Sequence, residues 1–226
     1  MTPPPISGLD SLLSAVPDPS KPLLTYYDES TGERVELSTI TTANWVAKTS
    51  NFLVDDLDAE PGTRVRIGLP THWLRFVWIL SVWNVAAIVA DTDADIGVSG
   101  QALAANTALR VRPSLRPLGG RFATAPPGFL DLGAEVPGHG DHFVALDPPE
   151  SATIALDLDG ARLTHAQLLA DNAPTSTRRL ITPGSVSRDA ALIVQTCVGG
   201  GSLVIVSSAT PEQISRLSAQ EVAEIQ

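Results

Sequence analysis

Short apolar strands alternate with helices through much of the 226-residue chain. An apolar strand over Arg64–Leu69 precedes a helix over Thr71–Asn84, and a second strand follows over Ala86–Ala90. The same order recurs later, as a strand, a helix and a strand over 178–182, 187–197 and 203–207. Because strands joined by short helical connections require right-handed crossovers, the alternation predicts parallel sheets. We therefore expect an α/β fold of two Rossmann-like lobes, with parallel sheets flanked by helices.

Turn and breaker residues divide the chain into three parts. Residues 112–128 contain four prolines and three glycines, a composition typical of a loop or an inter-lobe connection. We expect a first α/β lobe over 1–111, a Pro/Gly-rich connection over 112–150 and a second, partial α/β lobe over 151–226. The other predicted strands cover 23–27, 33–37, 95–98 and 152–157, and the other predicted helices cover 38–60, 101–106, 130–135, 164–172 and 211–225.

Composition excludes several classes of protein. The hydrophobic share of 43% and the charged share of 18% indicate a globular chain rather than a disordered one. The formal net charge of −10 repels nucleic acids and anionic membranes, so we expect no nucleic-acid partner. The single cysteine, Cys197, rules out an internal disulfide and indicates a buried structural thiol. The first residues lack the basic start and apolar stretch of a secretory signal, so we expect a cytoplasmic protein.

The strongly apolar stretch Trp73–Ala90 is compatible in principle with a membrane helix, which needs about 20 apolar residues. Arg75 and Asn84 lie inside it, and its last residues have the composition of a strand. A buried helix followed by a strand explains this pattern better, and we expect no membrane insertion.

Seven short segments make the sequence recognisable. They are Glu36-Leu37-Ser38, Asn44–Asn51, Glu60–Val65, Leu69–Trp73, Val85–Val89, Asp159–Leu169 and Gly200–Val206. Their order and residue types resemble the N-terminal part of AMP-forming acyl-CoA synthetases and other adenylate-forming enzymes. The chain is short and contains the motifs Asn-Trp-Val-x-Lys-Thr and Leu-Pro-x-His-Trp. In this combination it resembles a small family of uncharacterised actinobacterial proteins that are truncated relatives of AMP-binding enzymes. The resemblance implies a fold and no activity.

The chemistry of adenylation is missing from the place where the resemblance puts the phosphate loop. Full-length enzymes of the family hold ATP with a Ser/Thr/Gly-rich loop ending in Pro-Lys-Gly, whose amides, hydroxyls and lysine contact the phosphates. Residues 151–160 lack that lysine and that run of glycines and hydroxyls at the expected strand-to-helix turn, where Asp157 and Asp159 stand instead. These carboxylates either bridge a Mg²⁺ ion or, as we favour, are solvated turn residues.

The resemblance also implies that the adenine- and ribose-binding segments and the C-terminal lid with its catalytic lysine would follow residue 226. Losing one group that stabilises transition-state charge typically costs about 10² to 10³ in rate. We therefore expect a pseudoenzyme that forms no acyl-adenylate by itself and uses no cofactor.

Six residues are candidate ligand contacts, each with a structural alternative: Thr164, His165, His72, Trp73, Asn44 and Lys48. Thr164 and Gln167 have capping-box spacing, and the neighbourhood of His165 faces the substrate pocket in the related enzymes, although helix-start solvation explains it as well. His72 and Trp73 head the apolar helix, where a polar cap and a core tryptophan are the alternative. Asn44 and Lys48 share one helix face, either a recognition surface for a partner or anion, or an ordinary solvated face.

Two further motifs have structural explanations. The sequence His139-Gly140-Asp141-His142 contains metal-ligand residue types, but its Gly-rich context favours a solvated loop, and we predict no metal site. The triplet Gly199-Gly200-Gly201 follows a helix and precedes a strand, an order typical of a helix C-cap rather than a phosphate cradle. The four tryptophans at helical spacing indicate core.

Three functions remain open at this point. The first is a non-catalytic relative of acyl-CoA synthetases that acts as a binding, scaffold or regulatory protein, with an unknown protein partner or as a homo-oligomer. The second is a ligand-binding protein that retains an acyl, CoA or nucleotide cleft. The third is a half-enzyme completed by a partner chain.

Overall fold

The computed structural model describes residues 8–100 and 107–226. The helices are α1 (Thr39–Asp55), α2 (Trp73–Asn84), α3 (Leu132–Glu135), α4 (His165–Asp171), α5 (Val186–Gly199) and α6 (Pro211–Glu221). The strands are β1 (Pro22–Asp28), β2 (Glu33–Ser38), β3 (Arg64–Ile67), β4 (Ile88–Ala90), β5 (Ile96–Val98), β6 (Leu109–Arg112), β7 (Leu130–Asp131), β8 (Ile154–Leu158), β9 (Ala161–Thr164), β10 (Arg178–Ile181), β11 (Ser202–Ser207) and β12 (Glu224–Ile225). Short 3₁₀ turns cover Leu9–Ser11, Leu13–Ala15, Pro117–Gly119 and Val136–Gly138.

Two mainly parallel sheets carry the fold and confirm the predicted α/β class. The five-stranded sheet has the order β12-β10-β11-β1-β2, and the seven-stranded sheet has the order β7-β6-β5-β3-β4-β8-β9. Only the pairs β1–β2 and β8–β9 are antiparallel within the described residues. Short strands with helical crossovers produce this arrangement because parallel neighbours cannot be joined by a hairpin.

The strands of each sheet come from distant parts of the chain. Strand β1 pairs with β2 on one side and with β11 on the other, so one sheet unites residues 22–38 with residues 178–225. The central residues of β1 are buried, and a strand that is apolar on both faces belongs inside a sheet. The sheets therefore do not follow the expected division of the chain at residues 111 and 150. The division of the chain into domains remains a prediction.

Helix α2 is the centre of the hydrophobic core. It contacts strands of both sheets as well as α1 and α5, and every residue from Trp73 to Trp83 is buried. A helix that is apolar on all sides needs such an enclosed position. The core assignment of Trp73, Trp78 and Trp83 is confirmed, and Trp45 packs edge-on against Trp73 with 5.2 Å between ring centroids.

Capping residues define several helix ends as predicted. Thr164 and Thr210 each form a capping box, with Gln167 and Gln213 respectively. Gly200 has the left-handed conformation beyond α5, which confirms the predicted C-cap.

Several element predictions differ from the structure. The helix predicted over 38–60 ends at Asp55, and strand β6 was not expected. The last helix ends at Glu221, and β12 follows it, because Val222 adopts a left-handed conformation that breaks the helix. The segment 130–135 is a short strand followed by one helical turn rather than a helix throughout. Strand β9 was not expected at all. The predicted helix over 101–106 lies outside the described residues. No helix among the described residues combines the length and the apolarity required to cross a bilayer.

Candidate functional site

Strands β8 and β9 form a hairpin where a strand-to-helix turn was expected. The turn consists of Asp159 and Gly160, and Leu158 pairs directly with Ala161. Both turn residues have positive φ, 54° and 75°, which is the conformation of a two-residue type I′ turn. Asp-Gly between two strands is the strongest short-range signal for this turn, so the sequence contained the information and the prediction was wrong.

The carboxylates around the hairpin have protein partners. Oδ2 of Asp157 accepts a hydrogen bond from Nη1 of Arg64 at 2.9 Å, and Oδ2 of Asp159 accepts one from Oγ of Ser187 at 2.9 Å. The backbone N–H of Asp159 donates to Oδ2 of Asp91 at 2.9 Å. Asp157 is therefore ion-paired rather than a free turn residue, and the exposed Asp159 is tied to the first turn of α5.

A cavity of about 320 Å³ lies beside this hairpin. It is bounded by the carboxyl ends of β3, β4 and β8 and by the start of α5, the general location of ligand sites in α/β folds. The charged residues that line it are Arg66, Asp91 and Asp159. The described lining therefore carries a net negative charge, which disfavours an anionic ligand.

His165 is fully buried, so the alternative of helix-start solvation is wrong. Its Nδ1 accepts a hydrogen bond from the backbone N–H of Leu9 at 3.1 Å, which ties the first 3₁₀ turn to α4. Desolvation by burial lowers the pKa of His165 to about 4, so the ring is neutral with its proton on Nε2. Nε2 has no hydrogen-bond partner among the described residues. Thr164 is occupied by the capping box with Gln167.

His72 and Trp73 are buried at the start of α2, where His72 is the N-cap and Trp73 the first helical residue. Nδ1 of His72 accepts a hydrogen bond from the backbone N–H of Leu74 at 3.1 Å, so the imidazole caps the helix. The ring of Tyr26 lies edge-on to it, 4.4 Å away between centroids. Burial lowers the pKa of His72 to about 3; the negative charge of Asp28 opposes this decrease, and the positive charge of Arg75 adds a smaller contribution to it. These positions agree with the structural alternative, a polar cap beside a core tryptophan.

Lys48 and Asn44 occupy the same face of α1 but differ in their surroundings. Nζ of Lys48 donates hydrogen bonds to the carbonyl oxygens of Pro137, at 3.3 Å, and of His139. Its ammonium group therefore fastens the segment after α3 to α1. Asn44 is exposed and lines a cavity next to this segment.

The segment 137–142 is held along α1 by further contacts. Nδ2 of Asn51 donates to the carbonyl oxygens of Gly140 at 2.9 Å and of His142 at 3.0 Å. Nε2 of His139 lies 3.1 Å from Oδ2 of Asp56. This imidazole thus has a carboxylate partner, and no group of three or more metal-ligand residues occurs in the described parts of the chain.

The cavity lined by Asn44, which we call the α1 cavity, has a volume of about 430 Å³. Its walls are the two N-terminal 3₁₀ turns, one face of α1, the end of α2 and residues 141–143. The apolar part includes Leu9, Leu13, Ala43 and Leu80.

A buried ion pair that the sequence analysis missed joins α2 to α5. Nη1 of Arg75 donates to Oδ2 of Asp189 at 2.6 Å, and Oγ1 of Thr71 lies 3.0 Å from the same carboxylate oxygen. Arg75 also donates to the carbonyl oxygens of Leu69 and Gly184. The signal was an arginine inside an apolar helix, because a buried charge requires a partner.

Cys197 has the environment predicted for a structural thiol. It is completely buried in α5, and burial raises its pKa to about 12. The thiol therefore stays protonated near neutral pH and is a poor nucleophile.

Comparison with known proteins gives one similar sequence and many similar folds. No family model matches the chain. The TIGR03089 family protein of Mycobacterium tuberculosis is 34% identical over 240 residues, which cover 97% of either chain.

Solved structures of acyl-CoA synthetases have the same fold at low sequence identity. The Brucella canis acyl-CoA synthetase matches 96% of this chain with a TM-score of 0.79 and 13% identity, over 46% of its own length. Acetoacetyl-CoA synthetase from Streptomyces lividans matches with a TM-score of 0.73 and 16% identity, over 41% of its length. The N-terminal domain of FACL13 from Mycobacterium tuberculosis matches with a TM-score of 0.72 and 11% identity, over 62% of its length. The chain thus spans less than half the length of the two synthetases.

Proposed function

The chain belongs to the TIGR03089 family, and from that premise we propose that it is a non-catalytic relative of acyl-CoA synthetases that acts by binding rather than by adenylation. The observation that carries this proposal is the β8–β9 hairpin. It stands where the resemblance to adenylating enzymes puts the phosphate loop.

The hairpin offers few of the groups that hold a phosphate. A phosphate cradle needs several free backbone amides, usually with a lysine beside them. The connection here is two residues long, and the N–H of Asp159 already donates to the Asp91 carboxylate. The hydroxyl of Ser187 at the start of α5 is likewise occupied, by the Asp159 carboxylate. Carboxylates of the protein itself therefore accept the hydrogen bonds that a ligand phosphate would need.

Charge repulsion works in the same direction. Two unit charges 4 Å apart repel by about 1 kcal/mol in water and about 4 kcal/mol near a protein surface. Asp91 and Asp159 both line the adjacent cavity, and the chain as a whole has a formal net charge of −10. These negative charges would repel a triphosphate in this cavity. Among the described lining residues, Arg66 is the cation that would offset part of this repulsion.

Calorimetric titration with MgATP and AMP tests the proposal, together with ATP–pyrophosphate exchange in the presence of fatty acids. We expect no binding at millimolar nucleotide and no exchange. Exchange above the level of a heat-treated sample would contradict the loss of adenylation.

Two double variants with the same net charge show whether the local carboxylates matter. Asp91→Asn/Asp159→Asn neutralises the cavity, and Asp93→Asn/Asp171→Asn neutralises exposed carboxylates that do not line it. Weak nucleotide binding should appear in the first variant only. An equal gain in both variants would show that net charge, and not the hairpin, controls the affinity.

If the protein is a scaffold or a regulator, it must bind a protein partner or a second copy of the chain. Light scattering after gel filtration measures the oligomeric state, and co-purification from the native host identifies stable partners. A monomer that retains no partner would count against the scaffold form and leave ligand binding as the binding role.

A ligand-binding protein is the second candidate, and the α1 cavity favours it. Its volume of about 430 Å³ falls within the range of about 300–1,000 Å³ typical of small-molecule sites.

A further inference from the structure

The walls of the α1 cavity are fixed by contacts within the protein. The hydrogen bond from Leu9 to His165 holds the N-terminal 3₁₀ turns against α4. Lys48 and Asn51 hold the opposite wall through the carbonyl oxygens of residues 137–142. Binding sites are usually largely preformed, because ordering a loop on binding costs affinity. This cavity has that property.

The interior of the cavity is mostly hydrocarbon. Leu9, Leu13, Ala43, Ala47, Leu80 and Phe143 contribute to its lining. Such a lining matches the short alkyl or aryl part of a ligand, whose transfer out of water is favourable.

The polar groups of the lining determine the charge of the ligand. Asp10 and Asp141 contribute carboxylates, Asn44 and Asn84 contribute amides, and neither lysine nor arginine occurs among the described lining residues. Lys48 lies nearby on α1, but its ammonium is turned to backbone carbonyl oxygens. The third ionisable residue of the lining is His142, and all three, Asp10, Asp141 and His142, are at exposed positions.

Asp10 shows the effect of these surroundings. Partial desolvation raises the pKa of its carboxyl group, and hydrogen bonds from the backbone N–H groups of Asp10 and Ser11 offset part of that increase. A ligand cation would restore the lost stabilisation of the carboxylate, whereas a fatty acid, a CoA or a nucleotide would add another negative charge.

We propose that the α1 cavity binds a small primary amine attached to a short hydrocarbon body. This inference deepens the proposed binding role and is independent of whether the hairpin holds nucleotide, because the two cavities share no described lining residue.

Calorimetric titration of the full chain with hexylamine, hexanol and hexanoate tests the proposal, since the three probes share a hydrocarbon body and differ in charge. We expect affinity to decrease from the amine to the alcohol to the carboxylate. Two exposed charge contacts should give the amine an advantage of about tenfold over the alcohol. Equal or tighter binding of hexanoate, or no binding of any probe at millimolar concentration, would overturn the proposal.

Two pairs of variants locate the binding. Asp10→Asn/Asp141→Asn should remove the preference for the amine, while Asp93→Asn/Asp171→Asn has the same net charge and should keep it. Ala43→Phe fills the cavity and should abolish binding of hexylamine, whereas Ala219→Phe on α6 should not. Hexylamine binding that survives Ala43→Phe would place the site elsewhere and refute the assignment. If a variant unfolds, amide chemical-shift changes in the wild-type chain on titration with hexylamine give the same answer, with changes expected along α1 and residues 141–143.

Discussion

The buried pair of Arg75 and Asp189 leads to a quantitative prediction about stability. Replacing Asp189 by Asn keeps the size of the side chain and its ability to accept a hydrogen bond, but removes the negative charge. The Arg75 guanidinium then remains in the interior, 6% exposed, without its closest counter-ion. Arg188 does not replace that charge, because it is a second cation against the same carboxylate.

The expected cost follows from the environment of the pair. Asp189 is completely buried and Arg75 almost so, and their charged atoms are 2.6 Å apart. Breaking one partner of such a buried pair typically lowers the free energy of unfolding by about 3–5 kcal/mol. For a chain of about this size, each kcal/mol changes the melting temperature by about 2–4 °C, so Asp189→Asn should melt about 6–20 °C below the wild type.

Urea unfolding followed by circular dichroism and tryptophan fluorescence measures this change. Arg216→Met provides the control, because the Arg216 side chain is exposed in its ion pair with Glu29, and loss of that pair should cost less than about 1 kcal/mol. The double variant Arg75→Met/Asp189→Leu removes both charges and should recover most of the stability of Asp189→Asn. A loss below about 1 kcal/mol in Asp189→Asn, or a double variant less stable than the single one, would refute the reasoning.

Two further predictions concern a buried imidazole and a glycine with a positive φ. The folded chain keeps His72 neutral, with its pKa lowered to about 3, whereas this residue takes up a proton near pH 6.5 in the unfolded chain. The free energy of unfolding therefore decreases as the pH falls from 7 to 5, and His72 contributes about 2 kcal/mol to that decrease. His72→Asn retains a helix cap and should reduce that pH dependence by the same amount in urea melts at the two pH values. An unchanged pH dependence of stability in His72→Asn would contradict the assignment. Gly119 has a φ of 69°, and a Cβ added there would lie 2.8 Å from Trp45, whereas Gly32 has a φ of 75° and an added Cβ would have no atom within 4 Å. In the same melts, Gly119→Ala should therefore lower the free energy of unfolding by about 2–3 kcal/mol, and Gly32→Ala by about 1 kcal/mol. Equal costs would show that the Trp45 contact relaxes freely.

The fold could be predicted from local patterns because those patterns have local causes. The apolar composition of α2, the capping boxes at Thr164 and Thr210 and the C-cap at Gly200 depend on neighbouring residues, and each is present in the structure. The pairing of β1 with β11 could not be predicted in this way, because it joins residues about 180 positions apart and has no signature in either segment alone.

The candidate site was harder to predict for the same reason. His165 was a candidate ligand contact with solvation at a helix start as the alternative, but it is buried and bound to the 3₁₀ turn at Leu9, which lies 156 residues away. Lys48 was considered for recognition of a partner or an anion, but its ammonium group donates a hydrogen bond to the loop that follows α3. The hairpin at Asp159-Gly160 did have a local signal, which the expectation of a strand-to-helix turn obscured.

The most direct test of the absence of a phosphate site is a heteronuclear NMR titration of the wild-type chain with MgATP, observed at the backbone amides of the hairpin. We predict that the amide signals of Asp159 and Gly160 do not move at millimolar nucleotide, because one of these N–H groups is engaged and carboxylates surround the turn. Saturable shifts at Leu158–Ala161, with the Ser187 amide moving in parallel, would show that the hairpin holds a triphosphate and would contradict the proposed loss of adenylation chemistry.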